Sequence, residues 1–413
     1  MIENHTKIKK TPKLRFPEFH DEWQSSYIGK LSSKVGSGST PRGGSATYKD
    51  RGVPFIRSQN VRDGKLDMSE VVFIDQATHA SMPSTAIEPN DILLNITGAS
   101  LGRTCVVPQD FIEGNLSQHV CIIRLKRGTS PYIVHTLISL PKGLHELLKT
   151  QTGGGKEGLN FQAVRSFKVI LPSSIEQTKI AEFLMAVDEK VAMLQKKVDL
   201  QKKYKKGVMQ AICTQKIRFK DKNGKDYPDW QEKKLSEISY IKAGNSKSAH
   251  IKEDGNNVIV DMGAISSNGS LIDTKRTDYS GDFILSSELV MVKDDIGAGK
   301  IIGKVVCIPR DNKYVLGDHV YKITPFEGVT KYLYYVINSE SINRNFRIKA
   351  NGTAQIGINS DTVHNQQLYL PSQKEQQKIA NFLTALDDKI KLEESKLEQA
   401  KQLKEALLQQ MFV

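Results

Sequence analysis

A block of twenty residues occurs twice in this chain. Leu171-Pro172-Ser173, Glu176-Gln177, Lys179-Ile180-Ala181, Phe183-Leu184, Ala186, Asp188 and Lys190 return as Leu370-Pro371-Ser372, Glu375-Gln376, Lys378-Ile379-Ala380, Phe382-Leu383, Ala385, Asp387 and Lys389. The offset is 199 residues and 13 of the 20 aligned positions are identical, which chance does not produce. An interval that long is no solenoid period. It implies two domain-sized copies of one plan, hence a pseudo-two-fold object built from a single chain. Such an object suits a target that is itself two-fold, and double-stranded DNA is the commonest one.

Weaker echoes extend the repeat. Gly98-x3-Gly102-Arg103 returns as Gly299-x3-Gly303-Lys304, Leu116-x2-His119-Val120 as Leu316-x2-His319-Val320, and Gly153, Gly158, Asn160 as Gly352, Gly357, Asn359. Leu14-Arg15-Phe16 with Asp21-Glu22-Trp23 is echoed by Ile217-Arg218-Phe219 with Pro228-Asp229-Trp230. Between these landmarks the halves diverge, as in 53–66 against 258–271. The shared parts read as scaffold and the divergent parts as whatever gives each half its own task.

Two textures alternate. Residues 25–172 and 232–371 are rich in Gly, Ser, Thr and β-branched residues. Short apolar runs at 53–56, 71–74, 91–94, 120–123 and 305–308 read as strands. Turns are marked by Asp63-Gly64, Asn268-Gly269 and Pro309–Asn312, and helices are expected at 132–140 and 144–150. These are two mixed α/β (α+β) domains. The other texture is long amphipathic helix. Apolar residues fall at Ile180, Leu184, Val187, Val191, Leu194, Val198 and Val208, then at Ile379, Leu383, Leu386, Ile390, Leu397, Ala400, Leu407 and Met411. Spacings of three and four make a heptad seam. Ser174 is placed to cap the first helix. Residues 175–212 could reach about 57 Å, so the two stripes are expected to pack on each other rather than on their own domains. The expected segments are 1–172, 173–212, 213–371 and 372–413.

Net charge is +13 and the pI about 9.3, which favours an anionic partner. Cys105, Cys121, Cys213 and Cys307 form no CxxC pair, so zinc is not expected and the thiols read as those of a reducing compartment. No apolar run is long enough to cross a bilayer, and residues 1–5 lack the apolar core of a signal peptide. A cytoplasmic protein is expected.

Catalytic motifs are missing. Gly153-Gly154-Gly155-Lys156 is followed by Glu157 instead of Ser or Thr, and Thr150 stands where a phosphate loop needs its first Gly. There is no Pro-Pro to grip a flipped base, and Pro228-Asp229 has Glu232-x-Lys234 too close behind for a nuclease metal site. His119 and His319 read as packed core histidines. No nucleophile, base and acid form a set, so the expected catalytic and metal residues are none. The chain reads as a binder.

The doubled Leu-Pro-x3-Glu-Gln-x-Lys-Ile-Ala-x-Phe-Leu-x3-Asp block, each time opening a long helix behind a divergent domain, resembles the specificity subunit of type I restriction-modification systems. Leu14-Arg15-Phe16-Pro17-Glu18-Phe19 with Glu22-Trp23, and Ile96-Thr97-Gly98-x3-Gly102-Arg103, fit that family too. The resemblance covers nearly the whole chain. It implies two target recognition domains, each reading one half of a split DNA site, separated by two long antiparallel coiled-coil helices. It also implies no catalysis in this chain, and partners that are double-stranded DNA, two modification (methyltransferase) subunits and restriction (motor) subunits. No cofactor is then expected here; S-adenosylmethionine, ATP and magnesium would serve the partners. Asp294-Asp295-Ile296-Gly297 replaces the stretch 94–97, which makes transfer of contacts between the halves unsafe.

Under that reading Lys and Arg contact phosphates while Asn, Gln, Arg and Ser reach base edges. The candidate readers are Arg57, Gln59, Asn60 and Arg62 in the first domain. In the second they are Lys242, Asn245 and Lys247, with Asn351, Thr353 and Gln355. The lysines at 196, 197, 202, 203, 205 and 206 could lie over DNA between half-sites or form a solvated helix face. The rival classes are an enzyme acting on DNA and a coiled-coil scaffold that reads no DNA.

Overall fold

The computed structural model describes residues 11–62, 64–149, 158–266, 269–296, 299–352 and 355–413. Two compact units emerge. The first runs to Met193 and also takes in Leu397–Val413; the second is Leu194–Lys396. Each is mixed α/β, and the main sheets of one repeat those of the other.

In the first unit an antiparallel sheet runs in the order Ser32–Ser37, Val120–Leu125, Ile92–Asn95, Thr104–Val106. Its counterpart in the second is Ser239–Ala243, Val320–Pro325, Leu289–Val292, Val305–Cys307. Three-stranded sheets match as well. Val72–Ile74, Val53–Ile56 and Asn115–Leu116 correspond to Lys275–Thr277, Asn257–Val260 and Tyr314–Leu316.

The continuous apolar runs have a reason. A strand exposed on one face alternates polar and apolar, whereas these strands lie between two cores. Ile92, Leu94, Cys121 and Ile123 face one core of the first unit, and Leu93, Val120 and Ile122 face another. In the second unit Leu289, Met291, Tyr321 and Ile323 face one core, and Val290, Val292, Val306 and Val320 the other.

The doubled block is explained side chain by side chain. The long helices are Ser174–Cys213 and Gln373–Met411. The first is capped by Ser173, whose Oγ accepts the Glu176 N–H at 3.3 Å, one residue earlier than the expected Ser174; Ser372 does the same for Glu375. The buried Glu176 carboxylate accepts two bonds from Arg15 (2.7 and 2.8 Å) and one from Trp23 Nε1 (3.3 Å). Glu375 holds Arg218 (3.0 Å) and Trp230 Nε1 (3.1 Å) in the same way. Gln177 bonds the backbone of Ser130 and Pro172, and Gln376 that of Val329 and Pro371. Asp188 accepts from the Tyr132 hydroxyl and pairs with Lys404, while Asp387 accepts from Tyr335 and pairs with Lys205. The polar identities Ser173, Glu176, Gln177 and Asp188, with Ser372, Glu375, Gln376 and Asp387, thus fasten each helix start to its own domain.

That fastening corrects the expectation for the seam. The first turns do enter their own domain core. Ile180 and Leu184 pack with Trp23, Ile133 and Val164, joined there by Met411 and Phe412. Ile379 and Leu383 pack with Leu235, Tyr332 and Phe346, joined by Ile212. Further along, Val198, Ile390 and Leu397 are buried. Lys197 pairs with Glu393 (3.0 Å) and Lys205, eight residues on, with Asp387, six residues earlier, so the helix segments run antiparallel inside the second unit.

Candidate nucleic-acid interface

In the first unit the chain leaves strand Val53–Ile56 in a single 3-10 turn, Ser58–Asn60. The Asn60 side chain closes it: Oδ1 accepts the Arg57 N–H (3.0 Å) and Nδ2 donates to the Asp67 carbonyl (2.9 Å). Asn60 is 1% exposed. Of the four candidates here it is the one committed to the turn itself. Arg57 and Gln59 are half-buried, and Arg62 is exposed with Asp67 at 3.8 Å. Asn95 ties the turn to the end of strand Ile92–Asn95 by donating to the Ser58 carbonyl (2.8 Å) and Ser100 Oγ (3.1 Å). Thr97, Gln118 and His119 lie on the adjoining loops. Thr97 Oγ1 is 2.8 Å from His119 Nδ1.

Strand pairing fixes the counterpart of 57–62 within the divergent stretch 258–271. Ile56 lies opposite Leu116, and Val260 opposite Leu316. Arg57–Arg62 therefore corresponds to Asp261–Ser266. The second turn is Met262–Ala264, and it is closed from the other end: Asp261 Oδ1 accepts the Ala264 N–H at 3.1 Å. Asp261 is 3% exposed and also holds Lys275, whose ammonium it keeps charged to a higher pH than usual.

The second-domain candidates divide. Lys242 is exposed and pairs with Asp282 at 2.9 Å. Lys247 is buried, pairs with the same carboxylate at 3.1 Å and lies over the Tyr279 ring at 5.3 Å. Bonds from Lys242 first and Lys247 second hold the Asp282 carboxyl below the usual range. Asn245 is exposed, and its carbonyl accepts from Lys247 (3.4 Å). Asn351 is exposed and closes a loop by exchanging backbone bonds with Gly357 (3.0 and 2.9 Å). Gln355 Nε2 lies 3.1 Å from His319 Nδ1, which lies 2.8 Å from Asp294 Oδ2. Thr353 falls outside the described residues, as do Thr150, Gly153–Glu157, Asp63 and Asn268.

Two expectations are overturned. His119 is exposed and His319 half-exposed; both sit on the turn leading into a central strand rather than in a core. His319 takes φ +59°, a conformation found at chain reversals and not inside strands. Asp294–Gly297 does not replace 94–97 either. Lys293 N bonds the His319 carbonyl as Ile96 N bonds that of His119, so Asp294 stands where Thr97 does. Residues 295–298 are then extra in the second unit.

Among the described residues no group of three or more His, Cys, Asp or Glu side chains is arranged to hold a metal, and no helix is long and apolar enough to cross a membrane. The lysine run on the first long helix is half committed: Lys197, Lys202 and Lys205 pair with Glu393, Glu394 and Asp387.

The family model of the type I restriction modification DNA specificity domain matches residues 20–202 and again 227–402. The chain is 24% identical over 424 residues to the MjaVIII type I restriction enzyme specificity subunit of Methanocaldococcus jannaschii, across 96% of this chain and 92% of that one. In fold it resembles the crystal structure of the type I restriction-modification S subunit from M. genitalium, with TM-score 0.62 at 14% identity over 98% of this chain and 99% of the other. A second solved chain, from work on complex assembly and conformational transition of the type I R-M system, gives 0.56 at 17% identity, over 94% and 96%. With both repeats matched over most of its length, the chain belongs to the type I restriction-modification specificity subunit family.

Proposed function

We propose that this chain supplies DNA sequence choice to a methyltransferase and endonuclease complex and performs no catalysis itself. Each domain, within 1–172 and 213–371, reads one half of a split, asymmetric site, and the helices 173–212 and 372–413 set the spacer. The observation that carries this reading is the pair of equivalent turns. One scaffold presents Arg57 in the first domain and a self-bonded Asp261 in the second. Divergent chemistry on a retained frame is what two unlike half-sites require.

The readers proposed are Arg57, Gln59 and Arg62 in the first domain, and Lys242, Asn245, Asn351, Thr353 and Gln355 in the second. Asn60 and Lys247 support them. Two modification subunits are proposed to dock on the helices. Met193 and Leu392 are 53% and 55% exposed, and Tyr204 and Leu403 are each 57% exposed. Both pairs are related by the 199-residue offset, so one partner surface can be met twice. Restriction subunits complete the assembly in the cytoplasm. The partners use S-adenosylmethionine, ATP and magnesium, and this chain binds none of them.

Methylation mapping of cells with and without the chain tests the proposal. A split, asymmetric set of methylated sites that disappears with the chain is the expected result. Methyl transfer by the isolated chain refutes its non-catalytic role. An assembled complex without sequence preference favours the scaffold alternative.

A further inference from the structure

Five arginines of the described residues are partly buried: Arg15, Arg57, Arg124, Arg218 and Arg347. Four of them hold a carboxylate, namely Glu176, Asp91, Glu375 and Glu340. Arg57 alone holds none among the described residues. Its Nε is buried without a hydrogen-bond partner. A guanidinium taken partly out of water without a carboxylate is costly, and with Nε enclosed it is the Nη1 and Nη2 donors that call for an acceptor supplied from outside.

The surroundings restrict what that acceptor is. The guanidinium carbon lies 5.6 Å from the centroid of the Tyr48 ring. Tyr48 in turn packs at 5.5 Å on Phe55, which is fully buried. The main chain that carries the stem is fixed as well, because Asn60 holds the Arg57 N–H. With Nε covered, Nη1 and Nη2 are left as a planar fork on a rigid platform. Two parallel acceptors match it: the O6 and N7 edge of a guanine, or two phosphate oxygens.

Divergence between the repeats separates these sources. Phosphates are the same at every sequence, so a phosphate contact serves both domains equally. A base contact serves one half-site only. The position of Arg57 is occupied in the second domain by Asp261, of opposite charge, already bonded to Ala264 and Lys275. We infer that Arg57 is a specificity-determining residue that reads a guanine, through its major-groove edge, in the first half-site. Tyr48 is the positioning residue that orients it. The inference rests on the sequence-reading role proposed above.

The test uses the complete chain assembled with its modification subunits, acting on DNA randomised across both half-sites. Exchange of residues 25–150 with those of a related chain first assigns the half-site read by the first domain. In that half-site the parent requires a G·C pair at one position. Arg57→Ala lowers the preference there by about 5- to 150-fold, the range of one bidentate contact. The spacer, the remaining positions and the second half-site stay as they were, which also shows that the domain is folded. Arg57→Lys keeps charge and stem but not the fork, and relaxes the same position. Tyr48→Leu relaxes it less. A uniform loss of methylation restored by Arg57→Lys identifies a phosphate contact and overturns the inference, as does unchanged discrimination in both Arg57 variants. A parent complex with no preference in either half-site overturns the broader reading instead.

Discussion

Compare the turn at 57–60 with the turn at 261–264. Both follow the middle strand of a three-stranded sheet and both are single 3-10 turns. In the first, the last residue's side chain reaches back to the first residue's N–H; in the second, the first reaches forward to the last. The backbone closure is equivalent but its by-product differs. Closing with Asn60 leaves position 57 free to carry a long cation. Closing with Asp261 consumes that position, turns Met262 onto the core and leaves Gly263 exposed at the tip. A 3-10 turn needs one orphan N–H satisfied and is indifferent to which end supplies the oxygen. The surface chemistry of a domain can therefore be rewritten without disturbing its frame, provided the frame is fastened elsewhere.

The fastening is where the units are most alike, and breaking it should show the largest effect. Arg15→Ala leaves Glu176 buried with only a tryptophan N–H, and Arg218→Ala does the same to Glu375. Removing one partner of a buried pair costs about 3–5 kcal/mol. Each variant should destabilise its own unit by that amount, and the two values should agree. Urea unfolding followed by hydrogen exchange in each unit measures both. Clearly unequal costs would mean that sequence identity in the repeat conceals different packing.

A subtler contrast lies at the shared glycines. Gly102 and Gly303 both have positive φ, +84° and +69°. A Cβ at Gly303 would come within 2.6–2.8 Å of Phe346, including that residue's own Cβ, which has little freedom. At Gly102 the obstruction is the tip of Leu144, which can swing aside. Gly303→Ala should therefore cost about 2–4 kcal/mol, from backbone strain plus overpacking, and Gly102→Ala about 1–2 kcal/mol. Thermal melts of the two variants sharpen the comparison, and equal losses would contradict it.

His135 has no counterpart in the second unit, where Tyr334 fills its place in the repeat. Its Nε2 faces the Thr104 carbonyl at 3.3 Å and its Nδ1 is buried without a partner. Burial foremost, with Lys404 nearby, holds its pKa below the ordinary 6.5, against opposing contributions from the Thr104 carbonyl and Asp188. The group is neutral when folded, so its stabilisation is complete above pH 6.5 and is lost as pH falls through the lowered folded value. The slope is at most about 1.4 kcal/mol per pH unit for one proton. Protection from hydrogen exchange, corrected for the intrinsic rate at each pH, should fall between pH 7 and pH 5 in the first unit more than in the second, and His135→Gln should remove the difference. A difference that survives the substitution would assign it to another group.

These contrasts were unevenly legible in the sequence. The strands and long helices follow from runs and periods that are local, while the burial of those strands between two cores emerged only with the fold. The roles of polar residues depend on partners far along the chain. Lys247 looks like a free cation until Asp282, 35 residues on, is placed against it. Asn60 looks like a reader until the Asp67 carbonyl takes its amide. The counterpart turn at 261–264 shares no identity with 57–60. A usable signal was the Asx-Gly pair that follows each strand, Asp63-Gly64 and Asn268-Gly269. Equivalent histidines read as core because an apolar neighbour follows each, yet the turn before a strand is where a side chain leaves the sheet.

The smallest effect concerns the lysines of the first long helix, which differ among themselves more than the units do. Lys202 sits 2.7 Å from Glu394, and both are about half exposed. Such pairs contribute about 0.2–1 kcal/mol, so Lys202→Gln should lower stability by that little. Its charge is already answered, as are those of Lys197 and Lys205. Lys196, Lys203 and Lys206 are exposed and hold no carboxylate among the described residues. Only an unanswered charge can displace counterions from DNA, at about 0.9 in the logarithmic salt slope per phosphate. Replacing all three with Gln should lower the slope by up to about 2.7 without changing either half-site. Replacing Lys197, Lys202 and Lys205 should leave the slope as it was. Binding of the assembled complex to its site across a salt series decides it. A slope untouched by the first triple variant would make the run a solvated helix face, and a slope lowered by the second would show that the ion pairs open when DNA arrives.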